Sequence, residues 1–148
     1  MSTPRIVFLV HGGSDSIEAV RARGLSQNHP VDKVHFLWRE TARLATAKIW
    51  HHQIKALKPD LLYVINTALP GAPLTCWWQR FHGLPFVLDT GDVIYEMARH
   101  AGTAATWKLP LLRWVESRTQ RAAHIQTAQS RQHQIENNQI GHKGTCGE

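Results

Sequence analysis

Residues 5–16, RIVFLVHGGSDS, decide how the rest of the chain is read. Ile6 to Val10 form a short, unbroken apolar run with β-branched and aromatic side chains, the pattern of a strand buried on both faces. His11-Gly12-Gly13 ends that run, and Ser14-Asp15-Ser16 makes a small polar loop in which Ser14 or Asp15 can cap a helix. Helical spacing follows, with Ile17, Val20 and Leu25 expected inward and Glu18, Arg21 and Arg23 outward. A strand, a glycine loop and a helix are the first half of a βαβ unit.

The same alternation continues outward from this unit. Val31 to Trp38 reads as a second strand. Thr41 to Leu57 reads as a helix with Leu44, Ala47, Ile54 and Leu57 on one face and Trp50 at its margin. Pro59 and Asp60 stop that helix, and Leu61 to Ile65 is a third buried strand. The loop from Asn66 to Pro73 leads into a helix near Leu74 to His82, with Gly83 as its C-terminal cap. Pro85 to Asp89 is a fourth strand. Leu109 to Ala123 is a helix with Leu112, Val115 and Ala122 inward and Pro110 in its first turn. His124 to Thr127 is a weak fifth strand, and Ser130 starts a last helix. Alternating strands and helices with short connections predict an α/β fold: a Rossmann-like parallel sheet with helices on both faces. Ligands in such sheets bind at the carboxyl ends of the strands. The loops after Val10, Ile65, Asp89 and Thr127 are therefore the candidate site.

Composition narrows the function classes. A chain of 148 residues, 43% apolar and 19% charged, is large enough for one domain with its own core. No apolar run approaches the roughly 20 residues that span a bilayer. The run after Arg5 is too short for a signal peptide, which makes a cytoplasmic location the expectation. Cys76 and Cys146 form no CxxC, HExxH is absent, and the ten histidines are scattered, so neither a disulfide framework nor a zinc site is indicated. The net charge is +6, but the basic residues are dispersed, with no polybasic run and no RNA-binding aromatic motif. No nucleic-acid partner is expected. Solvated helix faces explain the charge, and weak attraction to anionic lipid headgroups at the inner membrane face or to a phosphorylated acceptor is the alternative.

Two loops carry candidate chemistry. Gly12, Gly13 and Ser14 lie beside a helix N-terminus, where free N–H groups favour phosphate. The spacing is neither GxGxxG nor GxxxxGK[ST], which counts against dinucleotide and P-loop chemistry, and a tight strand-to-helix turn explains the glycines equally well. Asp89-Thr90-Gly91-Asp92-Val93-Ile94-Tyr95-Glu96 places three carboxylates after a buried strand, which is costly unless they are exposed, paired or in use. Asp92 lies beyond the strand and can hydrogen-bond a sugar hydroxyl or support developing positive charge. Asp89 is nearer the sheet and can equally cap a turn.

Four segments in order resemble the N-terminal domain of family 4 glycosyltransferases, retaining enzymes of the GT-B fold. They are RIVFLVHGG at 5–13, KPDLLYVINTALPGAPL at 58–74, HGLPFVLDTGDVIYEMAR at 82–99 and VESRTQRAAHIQTAQS at 115–130. The resemblance implies an N-terminal, acceptor-side half spanning 1–140. Gly12, Gly13 and Ser14 would face the donor phosphates, and Asp92 would lie beside the transferring sugar as the catalytic residue. Asn66, Thr67, Asp89, Glu96 and Thr127 would line the acceptor side. Many members carry His-Asp where this chain has Gly91-Asp92. The implied reaction is metal-independent transfer from a nucleotide-sugar, needing no cofactor, to a glycan or lipid-linked acceptor. Residues 141–148 are short, polar and without strand character, so the donor-binding domain is expected to be absent or supplied by a separate chain. Transition-state stabilisation in a cleft needs both sides, and the chain alone is expected to be inactive. A non-catalytic sugar- or phosphate-binding or regulatory module is the alternative; a small nucleotide-binding Rossmann protein is the third reading.

Overall fold

The computed structural model describes residues 3–67, 69–89, 109–123 and 125–126. Five strands, β1 (Ile6–Val10), β2 (Val34–Trp38), β3 (Leu61–Ile65), β4 (Phe86–Asp89) and β5 (Ile125–Gln126), form one sheet in the order β2-β1-β3-β4-β5. Every pairing is parallel. The helices are α1 (Ile17–Ser26), α2 (Arg43–Leu57), α3 (Gly71–His82) and α4 (Leu109–Ala122), with a 3₁₀ turn at Val31–Lys33 ahead of β2. The expected α/β, Rossmann-like architecture is therefore present, in the 2-1-3-4-5 order of doubly wound sheets. In that order the chain runs outward in opposite directions from β1 and β3, which opens a crevice at their carboxyl ends.

Strand alternation divides the core into two layers. Val7, Leu9, Leu37, Leu62, Val64, Phe86 and Leu88 pack against Trp50 and Ile54 of α2 and Trp78 of α3, with Ala122 and Ala123 beside them. Ile6, Phe8, Val10, Val34 and Ile65 face the other way, against Ala19 and Ala22 of α1. On this second face a row of rings crosses three strands: Phe36 to Phe8 at 5.3 Å and Phe8 to Tyr63 at 4.8 Å between centroids. The register brings each pair directly opposite, Phe8 to Phe36 and Phe8 to Tyr63.

Two helices, α1 and α2, bury a different stripe from the one their periodicity suggests, whereas α4 turns the expected face inward. In α1 the inward residues are Ala19 and Ala22, whereas Ile17 is 86% and Val20 62% exposed, and Leu25 is exposed too. The aromatic row already fills that face, so only small side chains fit beneath the helix, and an ion pair from Arg21 fixes its rotation. Ser16, not Ser14 or Asp15, is the N-cap, accepting a hydrogen bond from the Ala19 N–H at 3.2 Å. In α2 the stripe runs through Thr46, Trp50 and Ile54, which puts Trp50 at its centre and leaves Leu44 83% exposed. In α4 Glu116 and Thr119 are the buried residues, with Leu112 and Val115 half-buried. Thr119 stays inside because its hydroxyl donates to the Val115 carbonyl at 2.8 Å. Gly83 caps α3 in the left-handed conformation at φ 65°, as its position suggested.

Trp50 is 1% exposed and its indole N–H donates to the Trp38 carbonyl at 3.3 Å. Trp50→Ala is expected to cost about 3–5 kcal/mol of unfolding free energy. Leu44→Ala should stay within about 0.5 kcal/mol. Urea denaturation of the two variants checks this, and similar losses would mean that the stripe is misassigned.

Candidate functional site

The carboxyl edge of the sheet at the β1/β3 switch point is organised by His11, the first residue after β1 and only 5% exposed. Its Nδ1 lies 2.8 Å from the Ile65 carbonyl at the end of β3, and its Nε2 lies 3.1 Å from the Gly71 amide at the start of α3. A carbonyl can only accept and an amide N–H can only donate. These two bonds select the neutral tautomer protonated on Nδ1. The ring also meets Trp50 edge-on, with centroids 5.7 Å apart. His11 thus ties both strands of the switch point to α3 and to the core. It was not among the residues singled out from sequence, although a histidine directly between a buried strand and a Gly-Gly pair is a readable signal.

Two glycines are required by this packing. A Cβ on Gly71 would lie 2.7 Å from both Cε1 and Nε2 of His11, so the α3 N-terminus approaches the imidazole only because residue 71 has no side chain. A Cβ on Gly12 would lie 2.3 Å from Ser16 Oγ, the capping hydroxyl of α1. At Gly13 a Cβ would meet nothing, so space does not demand glycine there. Gly12, Gly13 and Ser14 form the turn into α1, closed by the Ser16 amide donating to the Gly13 carbonyl at 3.0 Å. The N-termini of α1 and α3 both lie at this carboxyl edge, and their positive dipole ends favour an anionic group there.

Asn66 and Thr67 leave β3 at the same edge. Asn66 adopts a left-handed conformation, φ 71°, and its amide donates to the Asp89 carbonyl at 2.9 Å. Thr67 is 4% exposed, and its hydroxyl finds no hydrogen-bond partner among the described residues. A buried, unanswered hydroxyl at the switch point is suited to an incoming polar group.

Asp89 is used differently from a ligand-facing carboxylate. Alternation along β4 turns Phe86 and Leu88 to the α2–α3 layer and Asp89 to the α1 side. There Arg21 grips it bidentately, Nε to Oδ2 at 2.6 Å and a terminal nitrogen to Oδ1 at 2.7 Å. The carboxylate is 1% exposed and the arginine side chain 41%. Arg21, expected on a solvated helix face, is therefore the counter-charge of a buried acid. Tyr63 stands on the same face. Burial first, then the Asp89 charge, raises its phenol from 10.0 to about 12, with Arg21 opposing.

Asp92, Glu96 and Thr127 lie outside the described residues. The structure thus brings Gly12, Gly13, Ser14, Asn66 and Thr67 to one edge and engages Asp89 beneath α1. No known family model, curated protein or solved structure matches the chain. The geometry of this edge carries the functional argument. Among the described residues no group of three or more His, Cys, Asp or Glu could hold a metal ion, and no helix is long and apolar enough to cross a membrane.

Arg21→Ala leaves the Asp89 charge buried and should cost about 3 kcal/mol. The double variant Arg21→Ala with Asp89→Leu should recover most of that loss. Chemical denaturation of the cycle checks it, and a double variant as unstable as the single one would show that the carboxylate is not the cause. Because the folded phenol of Tyr63 holds its proton more tightly than the unfolded one, its contribution is complete below pH 10 and is lost as pH rises toward 12. Tyr63→Phe should flatten that part of the stability-against-pH curve, and an unchanged alkaline slope would exclude this residue as its source.

Proposed function

We propose that the chain is the acceptor-side domain of a retaining glycosyltransferase of the family 4, GT-B type. In this reading it transfers a sugar from a nucleotide-sugar to a glycan or lipid-linked acceptor only together with a donor-binding domain. The observation that carries the reading is the β1/β3 switch point. It combines a glycine turn, two helix N-termini and the buried hydroxyl of Thr67, unanswered among the described residues, at one edge of the sheet. The segments that resemble the family fall on β1 and its turn, on β3 and its loop, on β4, and on α4 with β5. That placement supports the reading because the family's working loops follow the same strands. Gly12, Gly13 and Ser14 would then approach the donor phosphates, Asn66 and Thr67 the acceptor, and Asp92 the reacting sugar. A lipid-linked acceptor at the inner membrane face suits the cationic outer surface of α2, α3 and α4.

One observation favours the second reading, a non-catalytic sugar- or phosphate-binding module. Asp89 is engaged on both oxygens by Arg21, so direct contact with an acceptor would require that pair to open.

Amide resonances of Gly12, Gly13, Asn66 and Thr67 should shift when the purified chain is titrated with acceptor glycans and nucleotide-sugars. Turnover should require an added donor domain, and Asp92→Ala should lower that turnover at least about tenfold, a barrier change of roughly 1.4 kcal/mol. Binding without turnover in the reconstituted pair would favour the module. Sugar transfer by the chain alone would overturn the two-part reading, and silence of all four amides would overturn the site.

A further inference from the structure

A second concave site lies away from the switch point, between the C-terminal halves of α2 and α3. It is a cavity of about 470 Å³ walled by His51, Trp77, Trp78 and His82, with Ile54, Pro59 and Leu84 as its apolar base and Lys55 and Lys58 at its rim. The volume falls within the range of small-molecule sites, roughly 300–1,000 Å³. Helices in parallel α/β units run opposite to the strands, so this cavity opens at the amino edge of the sheet.

Its rim is cationic, carried by Lys55 and Lys58, with the His51 and His82 imidazoles in its walls. Neither Lys55 nor Lys58 has a carboxylate partner among the described residues. The indole N–H of Trp78, a residue 7% exposed, finds no acceptor there either. Among the described residues the neighbouring helices offer no exposed acid: α2 and α3 contain no Asp or Glu, the single acid of α4, Glu116, is buried, and Asp60, which follows Pro59, accepts from the Arg5 amide. Exposed Arg43, Lys48, Arg80, Arg113, Arg118 and Arg121 add to the same positive field. Two helix C-termini oppose it with the negative ends of their dipoles. That opposition is reduced because Arg5 donates to the Leu57 carbonyl at the end of α2, and the Lys58 and Gly83 amides close the final turns.

The walls distinguish among anions. Trp77 and Trp78 meet at 89°, with centroids 5.5 Å apart, and form a corner. His51 stands at 68° to Trp77, and His82 is tilted 37° against Trp78. No two of these rings make the parallel slot that would sandwich a flat base. A corner suits a saturated ring, whose C–H face lies on one indole π-face while its substituents reach the rim. We propose that this cavity binds a phosphorylated monosaccharide, with the sugar ring against Trp77 and the phosphate between Lys55 and Lys58. The site goes beyond the proposed transferase reading and does not depend on it.

Glucose 6-phosphate is the probe, titrated into the ¹⁵N-labelled chain with glucose, inorganic phosphate and AMP as separate arms. Saturable shifts are expected at the Trp77 and Trp78 indole N–H signals, with affinity at least about tenfold above that of every other arm, equivalent to roughly 1.4 kcal/mol. The exposed-residue variants Lys55→Gln with Lys58→Gln, and Trp77→Ala, should each weaken binding at least about tenfold while the amide spectrum stays folded. Added salt should weaken binding by the wild type. An absence of saturable shifts would overturn the proposal, as would undiminished binding by either folded variant. Equal affinity for phosphate would reduce the cavity to an anion site, equal affinity for glucose would remove the lysines, and tighter AMP binding would make it a base site; each refutes the assignment. The switch-point amides of Gly12 and Asn66 are read in the same spectra, so failure here is distinguishable from failure of the transferase reading.

Discussion

The rest of the structure depends on one imidazole. His11 is held by a carbonyl at the end of β3 and an amide at the start of α3, while its edge rests on Trp50. Both hydrogen bonds are buried, so each would leave an unsatisfied group if broken, a cost of about 1–3 kcal/mol. The clamp fixes where β1 ends relative to β3, and it sets where α3 begins. It also explains why glycine stands at 71: any side chain there would occupy the place of the imidazole. A protonated ring could not accept from the Gly71 amide, so these two bonds require the neutral tautomer and make His11 a clamp between the core and the carboxyl edge of the sheet.

The Arg21–Asp89 pair plays the corresponding part on the other face. A carboxylate at the end of a central strand must be matched, and a bidentate guanidinium is the strongest match a side chain offers. Here it comes from a helix that connects β1 to β2, two strands away from β4. The pair therefore joins the two halves of the doubly wound sheet across the switch point. It also decides the rotation of α1, since Arg21 can reach Asp89 only with Ala19 and Ala22 beneath the helix.

These two links mark the boundary of what the sequence discloses. Strand and helix order was legible because β1, β3 and β4 are short apolar runs bounded by Gly, Pro or Asp, and those signals are local. The switch-point edge was legible for the same reason, through Gly12-Gly13 and Asn66-Thr67. Helix rotation was not. Periodicity ranks Ile17, Val20 and Leu44 as core by hydrophobicity alone, whereas burial went to Ala19 and Ala22, which pack with Phe8 on the α1 face, and to Thr46, whose hydroxyl is bonded to the Thr41 carbonyl. Val31 to Lys33 became a 3₁₀ turn because Pro30 sets up the Lys33 N–H to donate back to its carbonyl at 2.9 Å. Contacts between residues 54 to 68 positions apart, such as His11 to Ile65 and Arg21 to Asp89, have no local signature at all.

Charge shows the same limit from another side. Along the chain the basic residues look dispersed, yet folding gathers the helices α2, α3 and α4 onto one face of the sheet, and those helices hold almost no acids. Five of the remaining described acids, Asp15, Glu18, Asp32, Glu40 and Asp60, belong to other segments of the chain, and Asp89 is paired on the opposite face. A dispersed sequence thus yields a segregated molecule, because crossover topology sends alternate segments to fixed sides. Desolvation keeps the segregation from being neutralised internally: an acid placed between these helices must be buried, as Glu116 is, and an exposed one is simply not encoded there. The result is a layer of helices whose exposed charge is almost wholly positive, packed on one face of the sheet, while the switch point lies at the opposite, carboxyl edge from the Trp77–Trp78 cavity.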